Sequence, residues 1–231
     1  TKTWKINAIK MNTSPQEEIL TEKIYLKPFL KWAAVFFSYI FHPIFIPIYG
    51  ISFLVYIHPA YFSGFSDKAK LQTIIISSLN LVFFPVISIA LLKALGFIDS
   101  VLLKTRKDRI IPYMACGIFF FWAYTVFKKQ EMYPPIMASF IFGIFLAASA
   151  ALLANIYFKV SMHAIGMGGW TGLFWLIAKD NSMLMTWPLA TVLLFTGIVC
   201  TARLLVSDHT QKDIYAGLLI GFVCQIVAAF I

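Results

Sequence analysis

Seven apolar stretches, at 32–57, 71–94, 111–127, 135–158, 164–178, 185–202 and 213–231, occupy most of the chain and are parted by short polar connections. A bilayer core takes about 20 apolar residues to cross, with roughly 17–25 tolerated, and only helices or closed barrels satisfy their backbone in lipid. The stretches predict an all-α fold, a polytopic transmembrane helical bundle of about six or seven spans. Composition excludes the soluble alternative: 60% of residues are hydrophobic and 13% charged, against roughly 45–50% and 25% in soluble domains. The stretch 32–57 is broken by Pro43 and Pro47, 71–94 contains Pro85, and 164–178 is short and Gly-rich.

Residues 1–31 are polar and carry Lys2, Lys5, Lys10, Lys23 and Lys27 without an apolar core. They read as a flexible or interfacial tail and not as a secretory signal, leaving 32–231 as one transmembrane domain. Cys116, Cys200 and Cys224 lie in apolar stretches without C-x-x-C spacing and read as packing residues.

Three polar clusters interrupt this pattern: K-T-R-K-D-R-I-I-P at 104–112, S-M-H at 161–163, and the Arg203, His209, Asp213 series in R-L-L-V-S-D-H-T-Q-K-D. If every stretch crosses, successive clusters are separated by two crossings and all three fall on the same face of the membrane. Ionisable groups at membrane depth are costly and mark functional sites by default. His209 and Asp213 are four residues apart, which on a helix puts them on one face. A carboxylate holding one imidazole nitrogen leaves the other free as a nucleophile or base. The cations Lys104, Arg106, Lys107, Arg109 and Arg203, with the Ser161 hydroxyl, suit a multiply charged oxyanion such as phosphate. His163 stands where a proton donor to a departing oxygen would be needed. His42 and His58, each before a proline, read as turn residues and are left outside the site.

These residues resemble the signature of the type 2 phosphatidic acid phosphatase superfamily of membrane lipid phosphatases: Lys-x-x-x-x-x-x-Arg-Pro, then Pro-Ser-Gly-His, then Ser-Arg-x-x-x-x-x-His-x-x-x-Asp. The third motif keeps Arg203, His209 and Asp213 at the family spacing, with Ala202 for the leading Ser. The second keeps Ser161 and His163 between Val160 and Met162, where Pro and Gly are usual. In the first, Arg109 precedes Ile-Ile-Pro112, and no Lys lies seven residues before it; Lys104 is the candidate for the lysine's role. The resemblance implies that His209 attacks phosphorus to form a phosphohistidine, Asp213 orients it, and His163 protonates the leaving group. By it Lys104, Arg109, Ser161 and Arg203 bind phosphate, and no metal or other cofactor takes part. The chain likewise shows no cluster of carboxylates to hold a metal ion.

The expectation is an integral membrane phosphatase acting on a lipid phosphate: phosphatidic acid, phosphatidylglycerophosphate, a polyprenyl diphosphate or a lipid A phosphate. Phosphoryl transfer between lipids is the enzymatic alternative. A transporter or channel built on the buried His209, Asp213 and Arg203 is the non-enzymatic one. A net charge of +9 fits anionic lipid surfaces and substrates, and no soluble basic domain exists to grip nucleic acid. The placement expected is a cell membrane, multi-pass. The lysine-rich tail would put the N-terminus in the cytoplasm, and the site with it. Members of the family commonly face outward, and a re-entrant 32–57 would reverse the facing.

Overall fold

The computed structural model describes residues 28–100, 106–180, 182–207 and 209–231. Eight helices follow one another, and among the described residues there is no strand. They are α1 (Pro28–Ile40), α2 (Ile46–Ser52, continuing as a π-helical turn Phe53–Ile57), α3 (Asp67–Ser78, a π turn Leu79–Phe83, then Phe84–Ala94), α4 (Arg106–Lys128), α5 (Pro135–Tyr157), α6 (Met162–Asp180), α7 (Ser182–Val206) and α8 (Gln211–Ala228). The spans Asp67–Ala94, Lys107–Lys128, Pro135–Tyr157, Leu184–Val206 and Gln211–Ala228 are long and apolar enough to cross a bilayer. The protein is a multi-pass helical membrane bundle.

The expected single span 32–57 is two shorter helices, and the sequence explains the break. Pro43 and Pro47 lack the N–H that an unbroken helix requires. The freed groups are taken up locally: Tyr49 donates its hydroxyl to the Ile40 carbonyl at 2.9 Å, and the Ile44 N–H donates to His42 Nδ1 at 3.3 Å. α1 packs along α7, and α2 packs along α6. The Ser38 carbonyl lies beside His163, and Phe41 packs on Trp170, seven residues further along α6. Pro43 and Ile46 lie against Gly166, and Phe53 against Phe174. Neither α1 nor the α2 segment is by itself long enough to count among the five long apolar spans. Pro85 is handled differently, by the π turn immediately before it, where Asn80 donates its side-chain amide to the Ile76 carbonyl at 2.8 Å.

α6 falls outside the five long apolar spans because it carries Gly166, Gly168, Gly169 and Gly172 together with His163. Those glycines do structural work. A Cβ on Gly168 would collide with the Leu218 carbonyl, and one on Gly221 with the Ile165 carbonyl. Helices α6 and α8 therefore pack backbone to backbone, the close approach that small residues allow in membranes. At their shared end the Ser161 N–H donates to the Asp213 carbonyl at 3.3 Å. At the other end the Ser139 hydroxyl of α5 donates to the Ala228 carbonyl of α8 at 3.0 Å. Large side chains fill the interior, among them Leu54, Phe127, Phe140, Met167 and Leu173, each at most 1% exposed.

The first polar cluster is not a connection between spans, as the sequence pattern suggested. Helix α4 begins at Arg106, so Arg109 sits on its first turns and Pro112 lies inside it. Asp108, on the same turn, accepts the Asp99 N–H at 3.4 Å.

Candidate active site

The start of α4, the start of α6, the end of α7 and the approach to α8 meet at one end of the bundle. There Arg109, His163, Arg203 and His209 line a common cavity of about 720 Å³. Ser161 and Asp213, also expected in the site, stand behind its wall. Lys104 lies outside the described residues.

The loop from His209 into α8 is built around a helix cap. Thr210 is the N-cap, its hydroxyl accepts the Asp213 N–H at 3.3 Å, and Asp213 returns the bond by accepting the Thr210 N–H on Oδ2 at 2.9 Å. This is a capping box with Asp in the usual Glu position. His209 precedes the cap, so it is not on the helix, and its approach to Asp213 is not the helical i,i+4 contact that the spacing suggested. The cap itself brings Asp213 Oδ2 to 3.5 Å from His209 Nδ1. That distance is longer than a formed hydrogen bond, and Nδ1 has no other partner. With Nδ1 turned to Asp213, Nε2 is the nitrogen left for the cavity.

Burial lowers the His209 pKa from its usual value near 6.5, the Lys159 charge lowers it further, and the nearby Asp213 carboxylate opposes both. The ring is therefore neutral at pH 7, the form in which a histidine is nucleophilic.

His163 opens α6. Its Nε2 lies 3.0 Å from the Ser38 carbonyl of α1. A carbonyl only accepts, so this contact assigns the proton to Nε2 and turns Nδ1 the other way. The Ser161 side chain is fully buried and its oxygen accepts the Ala164 N–H at 3.4 Å, the position of a helix N-cap. The hydroxyl caps α6, and that cap sets the register of His163 two residues later.

Arg109 is 7% exposed and donates Nη1 to the Val160 carbonyl at 3.5 Å. Arg203 is close enough to Arg109 for their charges to repel, and its Nε is buried without a partner. Lys159 also lines the cavity, and among the described residues no carboxylate does. Such a cluster of cations in a partly desolvated mouth is complementary to an oxyanion.

Two cavity residues escaped the sequence reading. Lys159 carried a usable signal, lying two residues before Ser161 in the same connection. His42 lines the cavity with its ring centroid 5.3 Å from that of His163, edge to face. It lies in the break between α1 and α2, and irregular backbone at membrane depth is tolerated only where it is buried or borders a cavity. The two prolines were the signal. His58, by contrast, stacks on Tyr61 beyond the far end of α2 and lines no cavity wall here.

Residues 155–230 match the family model of the PAP2 superfamily. The matched segment contains the second and third polar clusters and excludes the first. Comparisons with curated proteins and with solved structures returned no match.

Proposed function

We propose that this membrane protein, whose residues 155–230 match the PAP2 superfamily model, is a phosphatase that hydrolyses the phosphate ester of a lipid through a covalent phosphohistidine, with no metal ion. One observation carries the reading: Arg109, Lys159 and Arg203 converge with His209 on a cavity whose other walls are largely apolar, Val35, Ile44, Phe120 and Ile144 among them. The cations suit a phosphate, and the apolar walls suit the chains attached to it.

In this reading the guanidinium groups of Arg109 and Arg203 hold the phosphoryl oxygens, and Lys159 adds a third positive charge. His209 Nε2 attacks phosphorus in line with the departing oxygen. Asp213, opposite Nδ1, stabilises the imidazolium character that develops as the P–N bond forms. His163 Nδ1, unprotonated while Nε2 donates to Ser38, takes the proton of the bound phosphate monoanion and passes it to the departing alkoxide as the P–O bond breaks. It then takes one from the water that attacks the phosphohistidine and returns it to the phosphate oxygens, so dihydrogen phosphate leaves and both histidines return to their neutral state. Ser38 holds Nε2 of His163, which leaves Nδ1 for both transfers. The capping role of Ser161 makes it a positioning residue in this scheme.

The test is inorganic phosphate release by detergent-solubilised protein from phosphatidic acid, phosphatidylglycerophosphate and polyprenyl phosphates, with EDTA present and His209→Ala as control. Release that survives EDTA and disappears in the variant supports the reading. Loss of release in EDTA, or full release by the variant, removes the metal-free histidine mechanism.

A further inference from the structure

The cavity continues past the cationic mouth, and the reaction scheme above does not use its inner half. Two residues lining that half are buried polar groups with nothing to bond. Gln225 is 1% exposed and neither atom of its amide has a partner. Trp170 is 8% exposed and its indole N–H is also unpartnered. The Tyr113 hydroxyl, on the same cavity, is buried and unpartnered as well. An orphaned buried donor costs about 1–3 kcal/mol, so three on one cavity point to a ligand.

The neighbouring helices are shaped around Gln225. A Cβ on Gly143 of α5 would collide with its Oε1, and one on Gly172 of α6 would lie 2.9 Å from its Cβ. Two glycines thus leave room for a polar side chain where an apolar residue of any size would have closed the space.

Depth limits what these groups can meet. Trp170 is seven residues beyond His163 along α6, and Gln225 twelve beyond Asp213 along α8. At about 1.5 Å per residue these put the two donors roughly 10 Å and 18 Å below the mouth. Side chains tilt toward the N-terminus of their helix, which leans Gln225 back toward the site. The ester carbonyls of a lipid with phosphate directly on its glycerol are five bonds from phosphorus, about 6 Å when extended, too short a reach. A prenyl chain offers no acceptor at any depth. One further glycerophosphate unit between phosphorus and the esters gives eleven bonds, about 13 Å, within the range of the donors.

We propose that Trp170 and Gln225, with Tyr113 above them, form an inner subsite that hydrogen-bonds acceptor oxygens of a lipid head group extending about 10–18 Å beyond the scissile phosphorus. A few placed polar groups in an otherwise apolar pocket are what fix ligand orientation. This deepens the lipid phosphatase reading and rests on it.

The experiment compares kcat/KM for phosphate release from phosphatidylglycerophosphate and from phosphatidic acid with the same acyl chains, in the wild type, Gln225→Leu and Trp170→Phe. The ratio is expected to favour the longer head group, and each variant to reduce it about three- to tenfold, the worth of one hydrogen bond. A ratio near one in the wild type, or a ratio unmoved by both variants, overturns the subsite while leaving the phosphatase reading intact. The same lipids are tested for protection against thermal unfolding. Should neither lipid be hydrolysed, stronger protection by the longer one that is lost in Gln225→Leu would keep the subsite and discard the phosphatase reading. Equal protection, or none, would discard the subsite too.

Discussion

Asp213 Oδ2 accepts the Thr210 N–H at 2.9 Å while it faces His209 Nδ1 at 3.5 Å. The bond that caps α8 thereby holds the carboxylate beneath the imidazole. In the proposed mechanism the His209 contact tightens as charge develops on the ring, since catalytic hydrogen bonds are commonly long before substrate binds.

This sharing allows the two duties to be separated. Asp213→Asn keeps an acceptor for the Thr210 N–H and removes the charge under His209. Asp213→Ala removes both. Phosphate release is expected to fall roughly 10²- to 10⁴-fold in each. Only the Ala variant should lose about 1 kcal/mol of stability with the cap, visible as a lower midpoint of thermal unfolding. Equal midpoints in the two variants would separate the cap from Asp213.

His209→Ala should lower phosphate release by at least ~10³-fold, as for removal of a covalent nucleophile, while an acid quench of the wild type during turnover should trap an acid-labile phosphoprotein. A variant that retains its turnover sinks the covalent route.

The pH profile follows from the direction of the His209 shift. Burial first, then Lys159, hold its pKa below 6.5, and Asp213 pushes the other way. The nucleophile is the neutral ring, so kcat/KM should be flat above that depressed pKa and fall as pH drops through it. Lys159→Gln removes a cation and should move the acid limb to higher pH. Asp213→Asn removes an anion and should move it lower. A limb that stays in place in both variants would mean that another group titrates.

Arg109 and Arg203 are expected to act on phosphate oxygens through the guanidinium fork. Replacement by Lys keeps the charge and loses the bidentate geometry. Each should cost about 1.5–3 kcal/mol, roughly 10- to 100-fold in kcat/KM. A Lys variant equal to wild type at either position would reduce that residue's role to charge alone.

Gly221→Ala places a methyl against the Ile165 carbonyl. Forcing α8 away from α6 is an overpacking change of about 1–3 kcal/mol, several degrees in the thermal midpoint. Because the Ser161 N–H and the Asp213 carbonyl join the same two helices, activity should fall with it. Gly117 has open space around it, and Gly117→Ala is the matched control, expected to leave both unchanged.

Helical class, membrane residence and the order of the crossings were legible in the chain, because a lipid environment forces backbone groups to pair within each segment and so ties length and hydropathy directly to structure. The same logic put 104–112, 161–163 and 203–213 at one end of the bundle: crossings alternate whatever the helices do sideways. Contacts between helices are not written in that code. The meeting of His209 and Asp213 depends on Thr210 capping α8, and the register of His163 on Ser161 capping α6; both are local geometries that spacing alone does not show. The place of His42 beside His163 follows from how a chain broken at Pro43 packs against α6 across more than a hundred residues of sequence. The unpartnered Gln225 and Trp170 have no signature at all, since a lone amide or indole in an apolar run reads as packing until the neighbouring glycines are seen to leave it space.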